Sequence, residues 1–253
     1  MAKVIAVVSQ KGGVGKTTTA VNLAASIAAL EARALVVGID PQCGVSVSFG
    51  RDGRDVSYGV YNMIYHDIPT TEAVLTTDMK FLDVIINNTT NPEEEDQLAQ
   101  ALRKERFKLK DKLAEIDKFY DYIMLDCPPA LNSLTISSMI AANSLLVPVQ
   151  GEFFSMDSLG RLLRAAREVS KRYNPSLHIE GFLLTMVDYR TNLGKKISDN
   201  LKRAMGDKVF TTSIPRTIRL AEAPLMKKPI ILFDINSVGS KAYLSLAQEI
   251  MTK

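Results

Sequence analysis

Ser9-Gln10-Lys11-Gly12-Gly13-Val14-Gly15-Lys16-Thr17-Thr18 is the stretch that decides the fold. It follows an apolar run, Val4–Val8, and leads into Thr17–Leu30, an Ala-rich stretch with helical spacing of its apolar residues. A strand running into a glycine-rich turn and then a helix is the context of a phosphate-binding loop. Glycines let the backbone curl until successive N–H groups point inward, and the helix N-terminus adds partial positive charge. Lys16 is placed to reach the β- and γ-phosphates, and the Thr17 hydroxyl to ligate Mg2+. The common pattern opens with glycine where this chain has Gln10, and it gains a further lysine, Lys11. A loop served by Lys16 has no obvious need of another cation on the same phosphates. Lys11 therefore reads as a residue that serves a second subunit's nucleotide in trans.

Outward from the loop, Ala34–Ile39, Phe81–Ile86, Tyr122–Leu125, Ser144–Val149 and Gly181–Val187 are apolar on consecutive rather than alternating positions. That pattern suits parallel strands covered on both faces. Helical patterns occupy Asn132–Ala142 and Ser155–Tyr173, and Asn91-Pro92-Glu93-Glu94-Glu95 is a helix start with cap, proline and acids in place. The alternation predicts an α/β fold: a doubly wound, mostly parallel sheet flanked by helices, as one domain over 1–253. The polar stretch 88–118 is expected to be an exposed helical insertion. Two strands close on carboxylates. Asp40, in Asp40-Pro41-Gln42, is placed to orient water or metal-bound water toward a γ-phosphate. Asp126, in Asp126-Cys127-Pro128-Pro129, ends an apolar run in the Walker-B manner and is expected to hold Mg2+.

The 253 residues, 46% hydrophobic and 23% charged, suit a globular chain with a real core. No run approaches the ~18 apolar residues of a membrane span, and the N-terminus lacks a signal peptide's apolar block. Cys43 and Cys127 make no disulfide framework and are expected to be two ordinary buried thiols. A cytoplasmic location follows as the expectation. His66 and His178 have no partner at zinc-ligand spacing. Net charge is +3, divided as −4 over residues 1–150 and +7 over residues 151–253. A basic half beside an acidic half marks either a nucleic-acid surface or ordinary helix surfaces.

Lys11-Gly12-Gly13-Val14-Gly15-Lys16-Thr17-Thr18, Asp40-Pro41-Gln42 and Asp126-Cys127-Pro128-Pro129, in this order, resemble the ParA/Soj-type partition ATPases of the deviant Walker-A class. Val147–Phe154, Leu183–Thr191 and Ile214–Pro224 resemble later segments of the same family, so the likeness spans almost the whole chain. The resemblance implies ATP and Mg2+ as cofactors and an ATP-dependent homodimer with Lys11 crossing between subunits. It implies non-specific DNA binding, nucleoid association, and hydrolysis stimulated by a ParB-type partner. Residue by residue, it implies phosphate contacts from Lys11, Gly12, Gly13, Val14, Gly15, Lys16, Thr17 and Thr18, Mg2+ at Thr17, Asp40 and Asp126, and catalytic roles for Lys11, Lys16 and Asp40. The base would lie near Met186, Pro215 and Arg216. Arg190 and Arg219 match family arginines implicated in DNA binding, with Lys195, Lys196, Lys202 and Arg203 nearby.

No helix-turn-helix segment is expected ahead of the first strand, as in the short chromosomal type. The C-terminal helix reads as a packed helix rather than a MinD-like membrane tail. Alternative readings are that membrane-surface type and a metabolic ATP-dependent enzyme on the same scaffold. The chain departs from the family's D-x-D-P-Q-G-N: Gly38 stands for the first Asp, and Cys43-Gly44 for Gly-Asn. A slow basal hydrolysis, below about 1 s⁻¹, is the expectation drawn from that departure.

Overall fold

Strand β1 (Lys3–Val7) is apolar on consecutive residues because both of its faces are covered. Val4 and Ala6 enter one core cluster, and Ile5 and Val7 enter another on the opposite face. The computed structural model describes residues 1–150, 156–187 and 192–252. The chain continues through α1 (Lys16–Ala29), β2 (Ala34–Gly38), α2 (Gly44–Ser48), α3 (Val60–Tyr65), β3 (Leu75–Thr76) and β4 (Leu82–Ile85). Then come α4 (Pro92–Lys104), α5 (Lys108–Ala114), β5 (Tyr122–Asp126), α6 (Ser133–Ala141), β6 (Ser144–Gln150), α7 (Met156–Arg172) and β7 (His178–Val187). It closes with α8 (Asn192–Met205), β8 (Ile214–Pro215), α9 (Ile218–Leu225), α10 (Ile230–Phe233) and α11 (Val238–Met251).

Among the described residues, eight strands form one sheet in the order β3-β4-β2-β5-β1-β6-β7-β8. All pairs are parallel except β3 against β4. Helices α1, α10 and α11 cover one face around Leu23, Ile27, Ile230, Tyr243 and Leu246. Helices α3 to α8 supply the core on the other, through Met63, Leu98, Leu109, Leu134, Leu162 and Leu201. The registers align Val7 with Asp126, and Asp126 with Gly38. The C-terminal edges of β1, β5 and β2 therefore end side by side. The chain leaves β1 toward β2 on one side, while β6 lies on the other, which opens the crevice where such sheets bind ligands.

The expected strands and helices form with ends shifted by a residue or two, save β7, which starts three residues early. Its extra residues carry Glu180, whose buried carboxylate accepts bonds from Lys3 Nζ (2.9 Å) and Ser144 Oγ (2.6 Å). The 88–118 stretch is corrected: it is no exposed insertion but a helical layer packed on α3 and α6. Leu98, Leu102, Leu109 and Leu113 are buried, and Ser133 and Ser137 on α6 donate to the Ala99 and Leu102 carbonyls. One apolar residue per turn suffices to seat a helix whose remaining faces are charged. The expectation for Cys43 is corrected too. Cys127 is buried, its thiol pushed up to about 12 by burial, whereas Cys43 is only half-buried; both are free.

Burial opposes the charge on Glu180, but the Ser144 and Lys3 bonds outweigh it and hold its pKa below the ordinary 4.5. An acid lowered in the folded state stabilises above its unfolded pKa, and that stabilisation is lost as pH falls through the folded value. Glu180→Gln is expected to cost about 1 kcal/mol at neutral pH and to flatten the loss of stability below pH 4.5. Urea midpoints on either side of that pH check it.

Candidate nucleotide and metal site

The phosphate loop connects β1 to α1. Gly13 (φ 73°) and Gly15 (φ 86°) adopt the left-handed conformation, and Gly15 is the residue that caps α1. No side chain caps the first N–H groups of α1, and its first turn holds no acid. The positive end of a long, buried helix is thus left to a ligand. A Cβ on Gly12 or Gly13 would meet nothing within 4 Å, so the space over the loop is open.

Lys16 is buried, and its ammonium donates to the Lys11 carbonyl at 3.2 Å. Burial lowers its pKa, and the nearby charges of Asp126 and Asp40 oppose that shift. The Thr17 hydroxyl donates to Asp126 Oδ2 at 2.7 Å. The other oxygen, Asp126 Oδ1, is buried with no hydrogen-bond partner. Burial pushes this carboxyl up to about 7, against the Thr17 bond. A hydroxyl and a carboxylate with one oxygen unspent make a hard-oxygen donor pair. They fit Mg2+, which keeps several waters and takes few protein ligands. Asp40 sits beside them, because the Ile39 and Asp40 amides both donate to the Asp126 carbonyl (3.0 and 3.2 Å). Its Oδ1 accepts from the Gln42 amide at 3.1 Å.

Lys11 lies on the opposite flank of β1. Its ammonium donates to Gln150 Oε1, at the end of β6, at 3.1 Å. Next along the edge, the Thr185 hydroxyl donates to the Val14 carbonyl at 2.9 Å and ties β7 to the loop. Met186 follows in the left-handed region (φ 55°), its Cε 3.9 Å from where a Gly15 Cβ would stand. Val187 pairs with Pro215 of β8, and exposed Arg216 comes next. Lys11 through Thr18, Asp40, Asp126, Met186 and Pro215 thus gather along one edge of the sheet.

The basic residues separate. Lys196, Lys202 and Arg203 are exposed on α8; Arg190 and the Lys195 side chain lie outside the described residues. Arg219 is exposed too, but shares its charge: it meets Glu222 at 3.2 Å and Asp234 at 3.4 Å, and lies over the Phe233 ring. Sequence reading missed a further stripe. Arg161, Arg164, Arg167 and Lys171 are exposed on α7, while Leu159, Leu162, Ala166 and Val169 are buried. Cations placed between residues of helical apolar spacing were the signal for it.

Residues 2–179 match the family described as AAA domain. The chain is 43% identical to the sporulation initiation inhibitor protein Soj of Bacillus subtilis, over 99% of this chain and 98% of that protein. It is 39% identical to the chromosome partitioning protein ParA of Caulobacter vibrioides, over 99% and 94%. The chain belongs to the ParA/Soj family of partitioning ATPases. As a ParA/Soj member it is an ATPase, and ATP with Mg2+ is the cofactor pair of its site. Among solved structures it is similar to cobyrinic acid a,c-diamide synthase of Mycobacterium smegmatis with bound ADP and magnesium (TM-score 0.83, 29% identity, 98% and 93% covered). MinD of Pyrococcus furiosus shares the fold (TM-score 0.80, 23% identity, 100% and 99% covered).

Replacing Asp126 by Asn removes a buried charge whose Oδ1 lacks a partner and supplies an amide in its place. Asp126→Asn is expected to stabilise the ligand-free ParA/Soj chain by on the order of 1 kcal/mol at pH 7 and above, where the wild-type acid would ionise at a cost. The same variant should lose Mg2+-dependent nucleotide binding. Thermal unfolding and nucleotide titration with and without Mg2+ read both effects.

Proposed function

We propose that this chain is an ATP-driven dimerising switch that tracks non-specific DNA, is reset by a ParB-type activator, and segregates chromosome or plasmid DNA. The observation that carries this reading is the division of labour between two lysines. Lys16 is folded into the loop beside Thr17, Asp126 and Asp40. Lys11 is held on the β6 side of the loop by Gln150. A single set of phosphates is served by Lys16 and the amides at the start of α1, which leaves Lys11 for the phosphates of a facing subunit.

In this reading ATP binds with its phosphates over Gly12–Thr18 and its base near Met186, Pro215 and Arg216. Mg2+ is held by Thr17 and Asp126 and screens the phosphate charge as it redistributes. Asp40, anchored through its backbone to Asp126, orients the attacking water. Two subunits joined this way double the positive surface offered to DNA. Lys196, Lys202 and Arg203 on α8, with Arg161, Arg164 and Arg167 on α7, are cations of the sort that make salt-sensitive, sequence-independent phosphate contacts. Arg190 and Lys195 join them on the family resemblance, whereas the charge of Arg219 is partly spent on its two carboxylates. A nucleoid-associated location follows from that binding.

The fate of the C-terminal helix supports this reading over a membrane-surface one. Among the described residues no helix is long and apolar enough to cross a membrane. The apolar face of α11 is spent on the core, with Tyr243, Leu246, Ala247 and Ile250 buried.

Anisotropy of random-sequence duplex DNA, measured across salt with and without Mg·ATP, tests the proposal. Binding is expected only with Mg·ATP, to weaken steeply with salt, and to vanish in Lys16→Ala. Lys11→Ala should keep nucleotide binding but lose the ATP-dependent dimer in analytical ultracentrifugation, and DNA binding with it. DNA binding equal with and without nucleotide would refute the switch.

A further inference from the structure

The loop that carries Asp40 meets the magnesium-holding threonine through a bare backbone. A Cβ on Gly44, the first residue of α2, would lie 2.9 Å from Thr17 Cγ2 and 3.0 Å from Thr17 Oγ1. Gly38, at the end of β2, is met by the next residue of the same helix: its Cβ would lie 3.1 Å from Val45 Cβ. Neither glycine has a left-handed φ. What both positions supply in this chain is room, where the family's Asp and Asn carry a Cβ. Gly44 and Gly38 are also two of the places where this chain departs from the motif of its family.

The Thr17 side chain is fixed from below. Its hydroxyl is 2.7 Å from Asp126 Oδ2 on a central strand, and it belongs to the first turn of a helix buried along most of its length. Helix α2 is only five residues long. Its entry is latched by Cys43, whose thiol reaches the Pro41 carbonyl (3.1 Å) and the Asn87 carbonyl (3.5 Å) and whose amide donates to the Asp40 carbonyl (3.1 Å). Anything that pushes on α2 is therefore passed to Asp40, and anything that moves α2 presses on Thr17.

We infer that Gly44 is a positioning residue: it lets α2 rest directly on the Thr17 side chain, so that the Asp40 loop and the hydroxyl offered to magnesium shift as one body. This rests on the reading of Thr17 and Asp126 as the magnesium-holding pair. A residue that orients a metal-binding group governs metal affinity without touching the metal.

The contact predicts its own suppressor, because Thr17→Ser keeps the hydroxyl and removes the methyl, the nearer of the two Thr17 atoms that a Cβ at position 44 would crowd. The test titrates Mg2+ against a fluorescent N-methylanthraniloyl-ATP and also records the unfolding midpoint of each ligand-free protein. Gly44→Ala is expected to raise the half-saturating Mg2+ concentration roughly tenfold. The Gly44→Ala/Thr17→Ser pair should return to within about twofold of Thr17→Ser alone. Gly38→Ala, which strikes Val45 instead, should gain nothing from Thr17→Ser.

Where Gly44→Ala does not fold alone, folding restored by Thr17→Ser supports the inference, and failure in both backgrounds overturns it. A folded Gly44→Ala with wild-type Mg2+ dependence overturns it, as does a Mg2+ defect that Thr17→Ser leaves untouched. Magnesium-independent nucleotide binding in the wild-type protein overturns the magnesium reading itself, and this inference with it.

Discussion

A single hydrogen bond, from the Thr17 hydroxyl to Asp126 Oδ2, joins the two halves of the site. One partner opens the helix after β1; the other closes β5. Parallel pairing puts the ends of those strands at the same level, with Val7 opposite Asp126, so the bond costs no distortion of either. It leaves the second carboxylate oxygen buried and unmatched. Buried polar atoms are nearly always paired, and an exception beside an uncapped helix start is a place where the fold gives up stability for chemistry. The rest of the edge is arranged around that pair: Asp40 hangs from the Asp126 carbonyl, and Lys16 lies within their field.

Much of this was legible in the sequence because it is local. Glycines at 12, 13 and 15 between a strand and a helix admit few conformations, and consecutive apolar runs demand cover on both faces. Carboxylates that end such runs, Asp40 and Asp126, fall at the crevice by topology alone. What escaped reading depends on contacts distant in sequence or on very short elements. The two-residue strands β3 and β8 carry no periodicity. The α4–α5 layer looked polar because only one residue per turn faces inward. Arg219 gave no sign that Glu222 and Asp234 would share its charge. Gly38 and Gly44 read as departures from a motif, and only the close approach of Val45 to Gly38 and of Gly44 to Thr17 gives them a physical reason.

The corrected parts bear on function as well. Helices α4 and α5 bury one apolar edge and expose Arg103, Lys104 and Lys110 among acids, while α7 and α8 expose Arg161, Arg164, Arg167, Lys196, Lys202 and Arg203 in the basic second part of the chain. The acidic first part holds the phosphate loop and both strand-end carboxylates. The candidate nucleotide site and the exposed cations of α7 and α8 are thus drawn largely from different stretches of sequence.

The helix that begins at the phosphate loop is completed by the opposite end of the chain. Tyr243 of α11 is buried against α1, its hydroxyl 3.3 Å from that of Thr19, and the Asn22 side chain accepts from the Ile230 amide at 2.7 Å. More than two hundred positions separate the loop helix from these partners, so translation yields the motif well before the residues that steady it. Until residues 230–250 are made, the motif lacks the scaffold that holds its helix, as contacts of high sequence separation form late.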